Sequence, residues 1–173
     1  MRSNGFTLLD LLITLTVMSI LVGIAIPSFS SQIKHSRVET ATLGLVEAME
    51  LARTQAVSAN IRTTMRKTDK WEDGWAVFVD NDNDGQLDPD EHLLQRHEKL
   101  VGVKISANTP IKTFVSYVGS GESRNANGTN NGAFQAGTFT ICPTTKGEGY
   151  QLIIARGGRV RSSKISAQEC SNF

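Results

Sequence analysis

The sequence predicts an α+β fold in which a long N-terminal helix, one half membrane-embedded and the other amphipathic, packs on an antiparallel β-sheet head. Three observations carry this prediction. Residues 11–29 contain no charged side chain, apolar residues then recur at spacings of three and four up to residue 59, and beyond Asn60 the apolar period falls to two.

Residues 6–29 form a stretch of 24, long enough as a helix to span roughly 30 Å of hydrocarbon. Arg2 precedes it, and Lys34, His35 and Arg37 follow it, so loop charge alone leaves its orientation open. Pro27, Ser28 and Phe29 offer no A-x-A cleavage pattern behind the apolar core; the small residue, Gly5, stands in front of it. Asp10 is the one acid inside the stretch. An ionised carboxylate at helix-centre depth costs about 2.5–3.5 kcal/mol, so Asp10 either meets a cation or stays near the headgroups of a simple anchor.

Pro27 interrupts the helical pattern, which resumes with Ile33, Val38, Ala41, Leu45, Ala48, Ala52, Gln55 and Ala59. The helix is expected to continue past a kink, running on the order of 80 Å from about Thr7 to Asn60. Ala41, Gly44, Ala48, Ala52 and Ala56 leave room for strands to approach it. Residues 61–67, 75–80, 100–106, 112–118, 138–142, 150–155 and 159–165 read as short antiparallel strands, with a hairpin turn at Gly157-Gly158. Residues 119–137, rich in Gly, Asn and Ser, read as a long mobile loop. The 146 residues after Pro27 suffice for one soluble head.

The net charge of +1 conceals segregation. Residues 69–98 hold ten acids against Lys70 and Arg96, a balance of −8, whereas residues 34–67 and 146–173 each carry +3. The two cysteines, Cys142 and Cys170, lie in the last third without C-x-x-C spacing or a neighbouring histidine. They read as a structural disulfide worth roughly 3.5 kcal/mol, which would place the head outside the cytoplasm; the alternative is two unrelated buried thiols. No G-x-S-x-G, P-loop or H-E-x-x-H occurs, and His35, His92 and His97 are distant from both cysteines, so no enzyme is expected; a membrane-anchored periplasmic enzyme is the competing class.

Two constellations carry chemistry. Asp80, Asp82, Asp84, Gly85 and Glu91 satisfy D-x-D-x-D-G-x5-E, with Leu87 at the apolar position, which on letters is a calcium loop. An EF-hand needs flanking helices, however, and residues 75–79 read as a strand, so a solvated acidic hairpin closed by Asn83-Asp84-Gly85 is the other reading. No cofactor is required, and calcium is the one candidate. The second constellation is Arg156, Gly158, Arg159, Arg161 and Lys164. Strand alternation sends Arg159 and Arg161 to one face about 6.6 Å apart, glycine lets the backbone approach a bulky ligand, and four cations at a hairpin end suit phosphates. Pairing of these cations with the acidic 69–98 region of the same or an adjacent subunit is the competing reading. No aromatic is interleaved apart from nearby Tyr150, so base stacking is not indicated.

The leader M-R-S-N-G followed by F-T-L-L-D-L-L-I-T-L resembles the class III leader of type IV pilins and of type II secretion pseudopilins. Family members usually carry Glu at the fifth mature position, where this chain has Asp10. The E-A-M-E-L-A-R-T-Q-A-V stretch at 47–57, G-W-A-V-F-V-D at 74–80 and the late G-R-V-R resemble the GspH/FimT group of minor pilins. The resemblance implies a pilin fold, with residues 1–5 removed by prepilin peptidase after Gly5 and Phe6 N-methylated. Residues 6–29 would then be a transmembrane and filament-core helix, and 30–173 a periplasmic or extracellular head. It further implies assembly through Asp10 and Pro27 with major and minor pilins, storage in the bacterial inner membrane before incorporation into a surface pilus, and a minor role in priming or at the tip. In FimT-like proteins a C-terminal G-R-x-R is associated with binding double-stranded DNA in natural transformation, and Gly158, Arg159, Val160 and Arg161 match it. A minor pseudopilin of a type II secretion system is the runner-up within the same superfamily.

Overall fold

The computed structural model describes residues 8–171, with side chains throughout except at 24–28 and 30. The chain divides into two compact units, Met1–Lys34 and His35–Phe173. The expected leader and Phe6 lie outside the described residues.

Helix α1 covers Leu8–Ala59. Its assignment runs through position 27 without a break, although the Pro27 side chain is outside the description. In the first unit the large apolar side chains from Leu8 to Val22 are exposed. The hydroxyls among them are satisfied on the helix itself: Thr14, Thr16 and Ser19 donate to the carbonyls of Leu11, Leu12 and Leu15, each at 2.8 Å. Among the described residues no helix is long and apolar enough to cross a membrane; the segment expected at 6–29 extends over residues and side chains outside the description.

In the second unit α1 buries Val38, Ala41, Leu45, Ala48, Met49, Ala52 and Ala56, a stripe at spacings of three and four. Ala56, and not Gln55 or Ala59, closes the stripe. Asn60 ends the helix in a left-handed conformation at φ 51°, with the Ile61 amide donating to the Ala56 carbonyl at 3.2 Å. That six-to-one bond satisfies a carbonyl which the last turn would otherwise strand.

Eight strands follow: β1 Thr63–Lys67, β2 Trp75–Val79, β3 Leu93–His97, β4 Val103–Ala107, β5 Phe114–Tyr117, β6 Gly137–Pro143, β7 Gly149–Ile154 and β8 Val160–Ile165. They form two four-stranded antiparallel sheets, ordered β3-β2-β1-β5 and β4-β6-β7-β8. Seven of them fall within the expected runs to within a few residues; β3 is additional. The α1 stripe shares one core with Met65, Trp75, Val77, Val115 and Tyr117 of the first sheet and Val103, Ile105, Phe139, Ile141, Leu152 and Ile154 of the second. Trp71 meets Phe139 edge-on at 4.9 Å, and its indole N–H donates to the Lys112 carbonyl at 3.1 Å.

The last helix, α2 (Ala167–Ser171), begins with a capping box: Glu169 Oε2 accepts from the Ser166 amide at 2.7 Å, and Ser166 Oγ accepts in turn from the Glu169 amide at 3.4 Å. Those bonds hold the Glu169 carboxyl below its ordinary range. The cap fixes Cys170 opposite β6, where it forms a disulfide with Cys142, as the spacing of the two cysteines led one to expect.

The segment expected as a long mobile loop is instead packed. Tyr117 bridges Ser123 and Arg124 bridges Phe134 in antiparallel pairs, while Ser123 and Gln135 are buried. The Gln135 side-chain carbonyl accepts from the Ser116 amide at 2.8 Å. Its order comes from side chains distant in sequence, which composition does not report.

Candidate functional site

Two regions of the head gather charged side chains. The first is the outer face of the sheet β3-β2-β1-β5. Alternation along β1 and the residue before it turns Met65 to the core and Arg62, Thr64 and Arg66 to the other side, where Phe78 and Ser116 lie opposite Thr64. Arg62 is 1% exposed. Its guanidinium donates to Asn83 Oδ1 at 2.9 Å, Ser116 Oγ at 2.7 Å, the Arg124 carbonyl at 2.9 Å and the Thr129 carbonyl at 2.8 Å. Burial lowers its pKa against the opposing field of Asp80. Arg66 donates to the Gly85 carbonyl at 2.6 Å. One strand thus fastens the loop after β2 and the segment before β6 to the same sheet face.

On that face Asp80, Asp82 and Asp84 bring carboxylate oxygens within 4.8 Å of one another. Burial pushes the Asp80 carboxyl above its ordinary range, although Thr64 Oγ1 donates to it at 2.7 Å. Glu91 is not one of this group. Its carboxylate accepts from the Asn81 amide at 2.8 Å and the Asp88 amide at 3.1 Å, and partial burial raises its pKa. The flanking elements are the strands β2 and β3, so the paired helices of an EF-hand are not present.

The second region is the hairpin β7–β8. Gly157-Gly158 turns it as the sequence predicts: the Gly158 amide donates to the Ala155 carbonyl at 2.8 Å, and the Ala155 amide to the Arg159 carbonyl at 2.9 Å. Arg53 of α1 holds this turn, donating to the Gly157 carbonyl at 3.4 Å and the Gly121 carbonyl at 3.0 Å. Gly158 is buried at φ 77°, and a Cβ there would collide with the Gly121 carbonyl and meet the Tyr117 ring at 3.0 Å. The expectation that Gly158 admits a ligand is therefore corrected: this glycine admits the neighbouring loop.

Arg156, Arg159 and Arg161 are exposed, and among the described residues neither they nor Lys164 enter an ion pair. Intramolecular pairing with the acidic 69–98 region is thus not observed. The four cations do not share a face, however. In the β7–β8 register Arg161 lies opposite Ile153, whereas Lys164 lies opposite Tyr150, on the side of Leu152 and Ile154. Its ammonium sits 5.9 Å from the Tyr150 ring centroid.

Two residues here escaped sequence reasoning. Phe134 has Arg124 4.2 Å and Arg156 5.9 Å from its ring centroid, so an aromatic does accompany the basic turn. Arg53 was visible only as part of a helical stretch; no local signal connects it with a turn 104 residues away.

Comparison with known proteins places the fold and the family. The profile of the family described as Type II transport protein GspH matches residues 41–158. The chain is 28% identical over 97 residues to the pilin-like protein PilA1 of Thermus thermophilus, a match covering 56% of this chain and 61% of that relative. Among solved structures it is similar to the type IV minor pilin FimU of Pseudomonas aeruginosa, with a TM-score of 0.55 and 18% identity over 75% of this chain and 90% of that one. It is also similar to the minor pseudopilin EpsH of the Vibrio cholerae type 2 secretion system, with a TM-score of 0.51 and 13% identity over 73% of this chain and 96% of that one. With a helix packed on antiparallel sheets in the manner of these two pilin-like folds, and with the profile spanning the amphipathic helix through the hairpin turn, the chain belongs to the GspH family.

Proposed function

We propose that the protein is a minor type IV pilin that takes part in pilus priming or tip assembly and captures DNA without sequence preference at the β7–β8 turn. The observation that carries the first half is the surface of α1 from Leu8 to Val22, whose large apolar side chains are 46–82% exposed. A helix with such a surface requires lipid or other helices around it. Cleavage after Gly5 by prepilin peptidase would create a cationic amine on Phe6, four residues before Asp10 in the sequence. The Asp10 carboxylate of the same or a neighbouring subunit then offsets that charge in an apolar setting. The inner membrane stores the helix before assembly, and the head faces the oxidising side, where the Cys142–Cys170 bond persists. The role is structural and adhesive, with major and minor pilins as partners. Three exposed arginines that enter no ion pair among the described residues, one of them, Arg156, 5.9 Å from the Phe134 ring centroid, support the DNA-binding half.

The test is made on sheared surface filaments. The protein is expected there with N-methylated Phe6 as its first residue, and Asp10→Ala is expected to remain membrane-inserted yet absent from filaments. Incorporation of the variant at the wild-type level refutes the pairing. The likeness to EpsH favours a second reading, a pseudopilin of a type II secretion system. A deletion strain separates the two: loss of twitching and transformation belongs to the pilus, loss of enzyme secretion to the other machine.

A further inference from the structure

We propose that the β2–β3 loop is a calcium site formed by the carboxylates of Asp80, Asp82 and Asp84 and closed by Glu91. Clustered acids on a surface are not by themselves a site; Asp80 distinguishes this group. The residue is 1% exposed. Its Oδ2 accepts from Thr64 Oγ1 and from the Gly85 amide at 3.1 Å, but its Oδ1 is buried with no hydrogen-bond donor among the described residues. A buried carboxylate oxygen left in this condition is costly unless a cation meets it. Arg62, whose charge acts on this carboxyl, does not meet it through a hydrogen bond, because its guanidinium donates to Asn83, Ser116, Arg124 and Thr129.

The backbone brings the other ligands round. Counting Asp80 as the first of twelve loop positions, Asn83 at the fourth and Gly85 at the sixth are both left-handed, at φ 66° and 74°. The first, third and fifth side chains thereby converge, and the seventh and twelfth positions, which in such loops supply a backbone carbonyl and a carboxylate, are Gln86 and Glu91. Glu91 is held toward the loop by the Asn81 and Asp88 amides. An all-oxygen set with several carboxylates selects a hard divalent ion, and ligands drawn from one short loop suit the adaptable coordination of calcium better than the octahedral demands of magnesium. Because strands flank the loop, the ion would stiffen it without swinging helices apart. The Asn83 carbonyl accepts from the Gly128 amide at 2.7 Å, so the stiffening extends to the segment beside Arg124.

The experiment uses the full-length protein in detergent micelles, stripped with EDTA and dialysed, and titrated with CaCl2 in a calorimeter. One ion per chain is expected, with Kd of about 10⁻⁵–10⁻³ M. Calcium at about ten times Kd is expected to raise the thermal midpoint by about 3–6 °C, and MgCl2 at the same concentration to leave it unchanged. The double variant Asp82→Asn, Asp84→Asn keeps the side-chain oxygens that accept the Asp84 and Gln86 amides. In EDTA its midpoint should equal or exceed that of the wild type, while calcium affinity falls at least tenfold. The proposal is overturned by the absence of saturable uptake up to about 10 mM CaCl2, by an equal response to magnesium, or by wild-type calcium affinity in the double variant.

Discussion

Replacing Arg159 and Arg161 together by Ala should change the salt dependence of DNA binding by the full-length protein, as well as its strength. Arg156, Arg159 and Arg161 are exposed about the β7–β8 turn and enter no ion pair among the described residues, while Lys164 crosses to the other face beside Tyr150. If each arginine neutralises one phosphate, log K should fall against log salt with a slope of about −2.7, at about −0.9 per contact. Affinity then drops about 40-fold between about 50 and 200 mM salt. The double variant retains one contact and a slope of about −0.9, so the two proteins converge as salt rises. Fluorescence anisotropy with a short duplex, repeated on a second duplex of unrelated sequence, reads both slope and sequence tolerance. Lys164→Ala serves as the control and should leave the slope unchanged. A double variant whose slope stays near that of the wild type, or a Lys164→Ala slope shallower by about one, would refute this assignment of contacts.

Arg62→Met should destabilise the head by about 3–5 kcal/mol, because four acceptors lose a buried charged donor at once. A fall of about 6–20 °C in the near-ultraviolet melting midpoint is expected, with amides of residues 124–129 losing exchange protection first; a shift under about 2 °C contradicts the account. Replacing both Cys142 and Cys170 by Ser opens a link with a sequence separation of 28 and should cost about 3.5 kcal/mol, read as a lower urea midpoint that reduction of the wild type reproduces. Lys99 donates to Asp73 at 2.7 Å and holds that carboxyl below its ordinary value of 3.8. A depressed folded pKa gives stabilisation that is present above the unfolded value and lost as pH falls through the folded one. The small difference in melting midpoint between wild type and Lys99→Met should therefore persist near neutrality and vanish below pH 3.8.

The helical stripe and seven strands were legible because each obeys a local period: Val38, Ala41, Leu45 and Ala48 at three and four, Val103 and Ile105 at two. Strand β3 was not, since Leu93–His97 is an edge strand whose residues are all exposed or only half-buried, leaving little apolar contrast to read. The order of the segment after Tyr117 was equally hidden, because it depends on Arg62 and on Gln135, residues that pattern reading assigns to solvent. At the candidate sites the sequence supplied the charged residues but not their sidedness. One residue of strand parity separates Lys164 from Arg161, and Phe134 reaches the basic turn from an unrelated stretch of chain.

Strand β8 ends its sheet, so among the described residues one rim of its backbone has no partner strand. Such a rim is a template on which another chain can zip. Arg161, Ser162, Ser163 and Lys164 are all exposed along that rim, and their charge and hydration discourage uninvited strand pairing. Alanine replacements in β8 therefore risk clumping that mimics a loss of function in cells, whereas Arg161→Gln removes the charge and leaves the rim polar.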